Sequence, residues 1–162
     1  MSRSHRVVLL ALVVTFIAAA GSAFAQEGIG VRGVGVRGGV TIDPDQAHVG
    51  LHINAGNFHE KVRFQPSFEL GFGSDVITGA INLDAFYLFN PGAVQPYAGG
   101  GLGVAIYDFD RDDRPGRNGT DVEAGLNLLG GMEWGAANKY MLEARVGIGD
   151  IPDFKLTIGI NF

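Results

Sequence analysis

Four small constellations in this 162-residue chain have residue types that could do chemistry. Gly28-Ile29-Gly30-Val31-Arg32-Gly33 matches G-x-G-x-x-G, and the same spacing recurs over 33–38. A dinucleotide needs that turn between a strand and the start of a helix. Here an apolar leader precedes it and alternating sequence follows, so the nucleotide reading fails. Asp108, Asp110 and Asp112 have the spacing of calcium-loop positions one, three and five. Asp113 stands where that loop needs Gly, and Gly119 where it needs Glu. Arg111, Arg114 and Arg117 offset the acidic charge, so a solvated loop is the better reading. His48 and His52 share a face if the segment is a strand, but then stand about 13 Å apart, too far for one metal. Ser74, Asp75 and His48 are the residue types of a nucleophilic set. No motif surrounds them, and His48 falls on the inward parity, so no catalytic residue, cofactor site or metal site is expected.

The remaining polar residues are ordered by a different rule, alternation. Over 61–73, Val62, Phe64, Phe68, Leu70 and Phe72 interleave with Arg63, Gln65, Ser67 and Glu69. Over 153–162, Phe154, Leu156, Ile158, Ile160 and Phe162 interleave with Lys155, Thr157, Gly159 and Asn161. Helices need apolar residues three and four apart, so these segments predict strands with one apolar and one polar face. Eight segments follow the pattern: 29–42, 47–56, 61–73, 76–90, 94–109, 119–134, 138–149 and 153–162. Asp43-Pro44-Asp45, Gly73-Ser74-Asp75 and Asn90-Pro91-Gly92 supply turn chemistry between them. Eight neighbouring strands joined by short turns form a meander, and closing it into a barrel removes its edges. Gly33, Gly35, Gly38 and Gly39, with Gly99, Gly100, Gly101 and Gly103, mark bends and close approaches in such a barrel.

Composition narrows the class. Glycine accounts for 26 residues without a Gly-X-Y period, which excludes collagen. Cysteine is absent, which excludes disulfides, thiolate metal sites and thiol nucleophiles. Arg3, His5 and Arg6 precede an apolar run over 7–20, and Ala23-Phe24-Ala25 places small residues before Gln26. This predicts a cleaved signal peptide over 1–25 and a mature barrel domain over 26–162. Without Arg3 and Arg6 the mature chain holds 10 basic against 17 acidic residues, which argues against nucleic-acid binding.

Alternation alone does not say which face is inside. Lysine is scarce, with only Lys61, Lys139 and Lys155 in the mature chain, whereas water-facing surfaces are rich in charge. Aromatic residues gather near strand ends, with Tyr87, Phe89, Tyr97, Trp134 and Tyr140 expected as a girdle at one rim. Phe86 is expected beside them, and Phe72, Tyr107, Phe109 and Phe154 near the other rim. Both features favour an apolar outside. The leader, Pro-Tyr-Ala-Gly-Gly-Gly-Leu-Gly at 96–103 and Leu-Thr-Ile-Gly-Ile-Asn-Phe at 156–162 resemble the small OmpA/OmpX-type outer-membrane β-barrels of Gram-negative bacteria. The resemblance spans the mature chain. It implies an all-β, eight-stranded, antiparallel up-and-down transmembrane barrel, exported to the outer membrane. It also implies a closing strand read by the barrel-assembly machinery through Phe162, Ile160 and Ile158, short periplasmic turns and outward-facing loops. Cell-wall anchoring is not carried over.

With lipid on the apolar side, the other parity lines the lumen. The expected lumen charges are Arg37, Arg63, Glu69, Asp84, Asp121, Glu123, Glu133, Lys139, Glu143, Arg145 and Lys155. Buried charges must be paired, and this near-balance predicts an ion-paired plug rather than a pore with one dominant sign. The expected role is therefore structural or a surface contact, by a monomer. Its expected partners are outer-membrane lipids and lipopolysaccharide, with Arg111, Arg114 and Arg117 reaching phosphates. A narrow channel is the runner-up. A lipid-modifying enzyme and a water-soluble barrel with reversed faces stand behind it.

Overall fold

The computed structural model describes residues 29–74, 76–89, 92–109, 120–136 and 139–162. The leader over 1–25, Asp75 and the loop carrying Arg111, Arg114 and Arg117 lie outside the described residues. The chain runs β1 (Ile29–Ile42), β2 (Gln46–His59), β3 (Val62–Phe72), β4 (Val76–Leu88), β5 (Val94–Phe109), β6 (Thr120–Trp134), β7 (Lys139–Gly149) and β8 (Phe154–Asn161). Each strand pairs antiparallel with its sequence neighbour, and β1 also pairs with β8, closing the barrel from Gly35↔Asn161 to Ile42↔Phe154. No strand edge remains to be capped. The widest departure from the alternation is at β2, which runs on to His59 rather than ending at 56. Its register with β3 slips between His52 and Asn57, and Gly56 adopts a positive φ of 90° there. A residue with a Cβ rarely takes that backbone conformation.

Both chain ends of the barrel and the β2–β3, β4–β5 and β6–β7 connections share one end, the turn end. The other four connections share the loop end.

The side-chain period decides the faces. Leu102, Val122, Leu126 and Ile158 are 52–65% exposed on the outer wall, in a belt with Val36, Val49, Leu51 and Val146. Arg37, His48, Glu69, Asp84, Glu143 and Arg145 are buried within. A barrel with an apolar outside, a polar inside and no open edge satisfies every requirement of a lipid-spanning sheet. The reversed-face, water-soluble alternative does not describe this molecule.

Strand glycines let the wall curve tightly. At Gly39 a Cβ would collide with the Leu156 carbonyl across the β1–β8 seam. Gly39→Ala should therefore part the closing strands and cost about 1–3 kcal/mol. An unchanged urea midpoint for the refolded variant would refute that reading.

Candidate functional site

The lumen is where this barrel concentrates its polar chemistry. Alternation brings inward-facing residues of β1, β3, β4, β7 and β8 to one level. There six charges alternate in sign along an unbroken chain. Lys155 donates to Glu69 at 2.6 Å, and Arg37 donates to the other Glu69 oxygen at 3.2 Å. Arg37 reaches Glu143 at 3.6 Å, and Arg145 joins Glu143 at 3.0 Å to Asp84 at 2.7 Å. All six are only 1–6% exposed. Three cations meet three anions, so the low-dielectric interior holds no net charge at this level. The Tyr97 hydroxyl donates to Glu143 at 3.0 Å, and the Arg37 Nε donates to the His52 Nδ1 at 3.3 Å.

Neutral polar groups fill the space beside the chain. His48 joins the Thr41 and Thr157 hydroxyls, both at 3.0 Å, and His52 hydrogen-bonds Asn161. Asn127 donates to Asn82, and Asn82 to Ser67. Gln46 donates to Thr78 and to the Val76 carbonyl. At the turn end Arg63 donates to Glu133 at 2.5 Å, and Lys139 approaches the same carboxylate at 3.8 Å.

Two apolar clusters close over this polar interior. Phe86, Leu88, Tyr97 and Leu129 pack together toward the turn end. Val76, Ala105, Tyr107 and Ile151 do so at the loop end. Ile151 belongs to no strand; the β7–β8 loop folds it inward. It lies over Gly125 and Gly147, where a Cβ would come within 2.8 and 3.0 Å of its side chain. Gly131 makes similar room for the Tyr97 ring, and Gly99 for Phe86.

Arg37, Arg63, Glu69, Asp84, Glu133, Glu143, Arg145 and Lys155 are thus buried in the lumen. Lys139 stands at its turn-end rim with a 42% exposed side chain. Asp121 and Glu123 correct the expected set. Asp121 is exposed, and Glu123 is half-buried at the loop-end mouth beside Asp43, Asp150 and Asp153. Both lie near the loop-end start of β6, beyond the interior, where water can solvate them.

In the expected girdle, Tyr87, Phe89, Trp134 and Tyr140 are exposed on the wall. Trp134 stacks on Tyr140 at 6.1 Å, and Tyr87 meets Phe89 edge-on at 5.3 Å. Tyr97 is the exception and corrects the girdle assignment. It is 3% exposed and points inward, with Phe86 at 4.6 Å. Phe86 and Tyr107 likewise face the interior, not lipid. They share parity with lumen residues, and nearness to a strand end does not override parity. The signal missed in the sequence was the set of inward-parity glycines, which leave room for inward aromatic rings.

Of the nucleophilic types, Ser74 is exposed while His48 is buried in the lumen between two threonines. The closing strand carries Ile158 and Phe162 outward, 64% and 62% exposed, with Ile160 half-buried beside them. The Phe162 N–H donates to the Val34 carbonyl at 2.8 Å.

No family model matches the chain, and no curated protein matches it in sequence. Among solved structures, the N-terminal β-barrel domain of Pseudomonas aeruginosa OprF is similar, with TM-score 0.61 and 18% identity over 82% of this chain and 98% of that one. Neisserial surface protein A gives TM-score 0.61 and 14% identity, over 80% and 93% of the two chains. The Yersinia pestis outer membrane protein Ail gives 0.50 and 12%, over 84% and 99%. The shared property is the fold, that of the small eight-stranded outer-membrane β-barrels.

Proposed function

We propose that this chain, folded as a small outer-membrane β-barrel, is a closed barrel with a structural or surface-contact role, neither a channel nor an enzyme. The observation that carries the reading is the lumen. A charge-balanced chain of six ionised side chains crosses it, and an apolar cluster lies toward each end. An eight-stranded barrel is just wide enough for side chains to fill. A conducting path would have to part ion pairs that are expensive to leave unpaired. The absence of an enzymatic assignment rests on the separation of exposed Ser74 from buried His48.

In this reading the turn end faces the periplasm and the loops face outward. The outer lipids surround the apolar belt, lipopolysaccharide meets the loop end, and the assembly machinery reads the strand ending at Phe162. The barrel acts as a monomer.

Planar-bilayer conductance of the refolded chain tests the closed lumen, with a heat-dependent gel shift as the control for folding. A folded, inserted and silent barrel is the expected result. Reproducible small open-state steps would make it a channel.

A further inference from the structure

The turn-end mouth of the lumen is cationic. Arg32 of β1, Asn54 of β2, Arg63 of β3, Lys139 of β7 and Asn161 of β8 converge there around a cavity of about 230 Å³. Pockets for drug-sized ligands hold roughly 300–1,000 Å³, so this one suits a smaller guest. Arg32 is exposed, and the Lys139 side chain is 42% exposed. Arg63 is 7% exposed, yet its Nε–H has no acceptor among the described residues. A buried donor left unpaired is costly, and an acceptor entering the mouth would satisfy it. Glu133 accepts from the Arg63 Nη1 at 2.5 Å but stands 3.8 Å from the Lys139 Nζ, beyond a hydrogen bond. Lys139 donates to Gln95 at a long 3.4 Å. Asn54 accepts from the Gly56 N–H through Oδ1, which leaves its amide nitrogen as a donor. Three cations thus face one acid, Glu133, and a positive excess persists if a main-chain carboxylate at Phe162 is counted as well. The Arg63 guanidinium lies 5.7 Å from the centre of the Phe86 ring, and Phe86 belongs to the apolar cluster toward this end. The mouth is therefore a pocket with an apolar layer behind it.

We propose that the turn-end mouth binds one small phosphate-type oxyanion, held by Arg32, Arg63 and Lys139 with Asn54 donating beside them. A guanidinium offers a planar fork of donors that matches phosphate oxygens, and an ammonium adds a compact point charge. Free inorganic phosphate and a lipid headgroup at the rim present the same chemistry. The site goes beyond the closed-barrel reading and does not depend on whether the lumen conducts.

The test is nitrogen-15 NMR of the refolded chain in phosphate-free maltoside micelles, titrated with inorganic phosphate against sodium chloride of equal ionic strength. Phosphate should give saturable shifts at the turn-end mouth, the Arg63 Nε–H resonance among them, that chloride does not reproduce. Arg32→Gln with Lys139→Gln should weaken the affinity on the order of tenfold, as expected for the loss of two solvent-exposed charge contacts. If that pair loses its heat-dependent gel shift, Arg32→Gln alone makes the comparison from an exposed side chain, with a loss of about threefold. Repeating the titration in phosphatidylglycerol nanodiscs separates the two sources. Phosphate shifts that persist there assign the site to the free ion. Resonances that start at their phosphate-bound positions and no longer move assign it to the headgroup. Shifts equal to those in chloride would overturn the proposal. So would an Arg63 Nε–H that stays put, or an affinity unchanged in the folded variant. A barrel that conducts yet still binds phosphate at this mouth would overturn only the closed lumen.

Discussion

Arg145→Leu should destabilise the barrel by about 3–5 kcal/mol, the usual cost of breaking a buried pair from one side. Arg145 is 3% exposed and holds two carboxylates at once, Asp84 at 2.7 Å and Glu143 at 3.0 Å. Without it Glu143 keeps Arg37 at 3.6 Å, but Asp84 loses the guanidinium that neutralises it. The penalty is therefore mainly that of a stranded Asp84 carboxylate. Removing that carboxylate as well should recover much of the loss. In Arg145→Leu with Asp84→Leu, the chain Lys155–Glu69–Arg37–Glu143 remains, with two charges of each sign. A double-mutant cycle on urea unfolding of the refolded protein in lipid would measure this coupling. Additive losses from the two substitutions would show that the ion pair contributes nothing as a pair.

Leu126→Arg should cost about 2–4 kcal/mol, because a cation at the bilayer midplane must be hydrated or thin the membrane around it. Leu126 is 52% exposed on the outer wall near the middle of β6, which runs Thr120–Trp134. Val122, on the same face of the same strand but near the loop end, is 65% exposed. Val122→Arg should cost about 0–1 kcal/mol, because headgroups and water lie within reach of its guanidinium. The same residue type on the same face thus reports depth alone. Equal losses at both positions, measured by unfolding from vesicles, would mean that Leu126 is not at the centre of a bilayer.

The interior has a different tolerance. Asn127 follows Leu126 but is buried, donating to Asn82, and its Nδ2 stands 2.9 Å from where a Cβ on Gly103 would lie. Consecutive strand positions face different solvents, so one step in the sequence changes the physics of a substitution completely.

That alternation is what the sequence by itself determined. A period of two is local, so eight strands and their two opposed sets of side chains follow from nearest neighbours. Arg37, Glu69, Asp84, Glu143, Arg145 and Lys155 could be assigned to one face for that reason. Which of them touch could not be assigned. Arg145 and Asp84 are 61 residues apart, and Lys155 and Glu69 are 86 apart. Their meeting depends on the stagger of strands around a closed barrel, summed over several registers. Tyr97 shows how position misleads when parity is not followed through. It lies near a strand end like a girdle residue, yet its parity turns it inward, where Gly131 leaves room for its ring. Ile151 has no period to follow, because it lies in a connection. Only the tertiary structure places it, over Gly125 and Gly147, since what fills a barrel mouth is decided by the shape of the space the strands leave open.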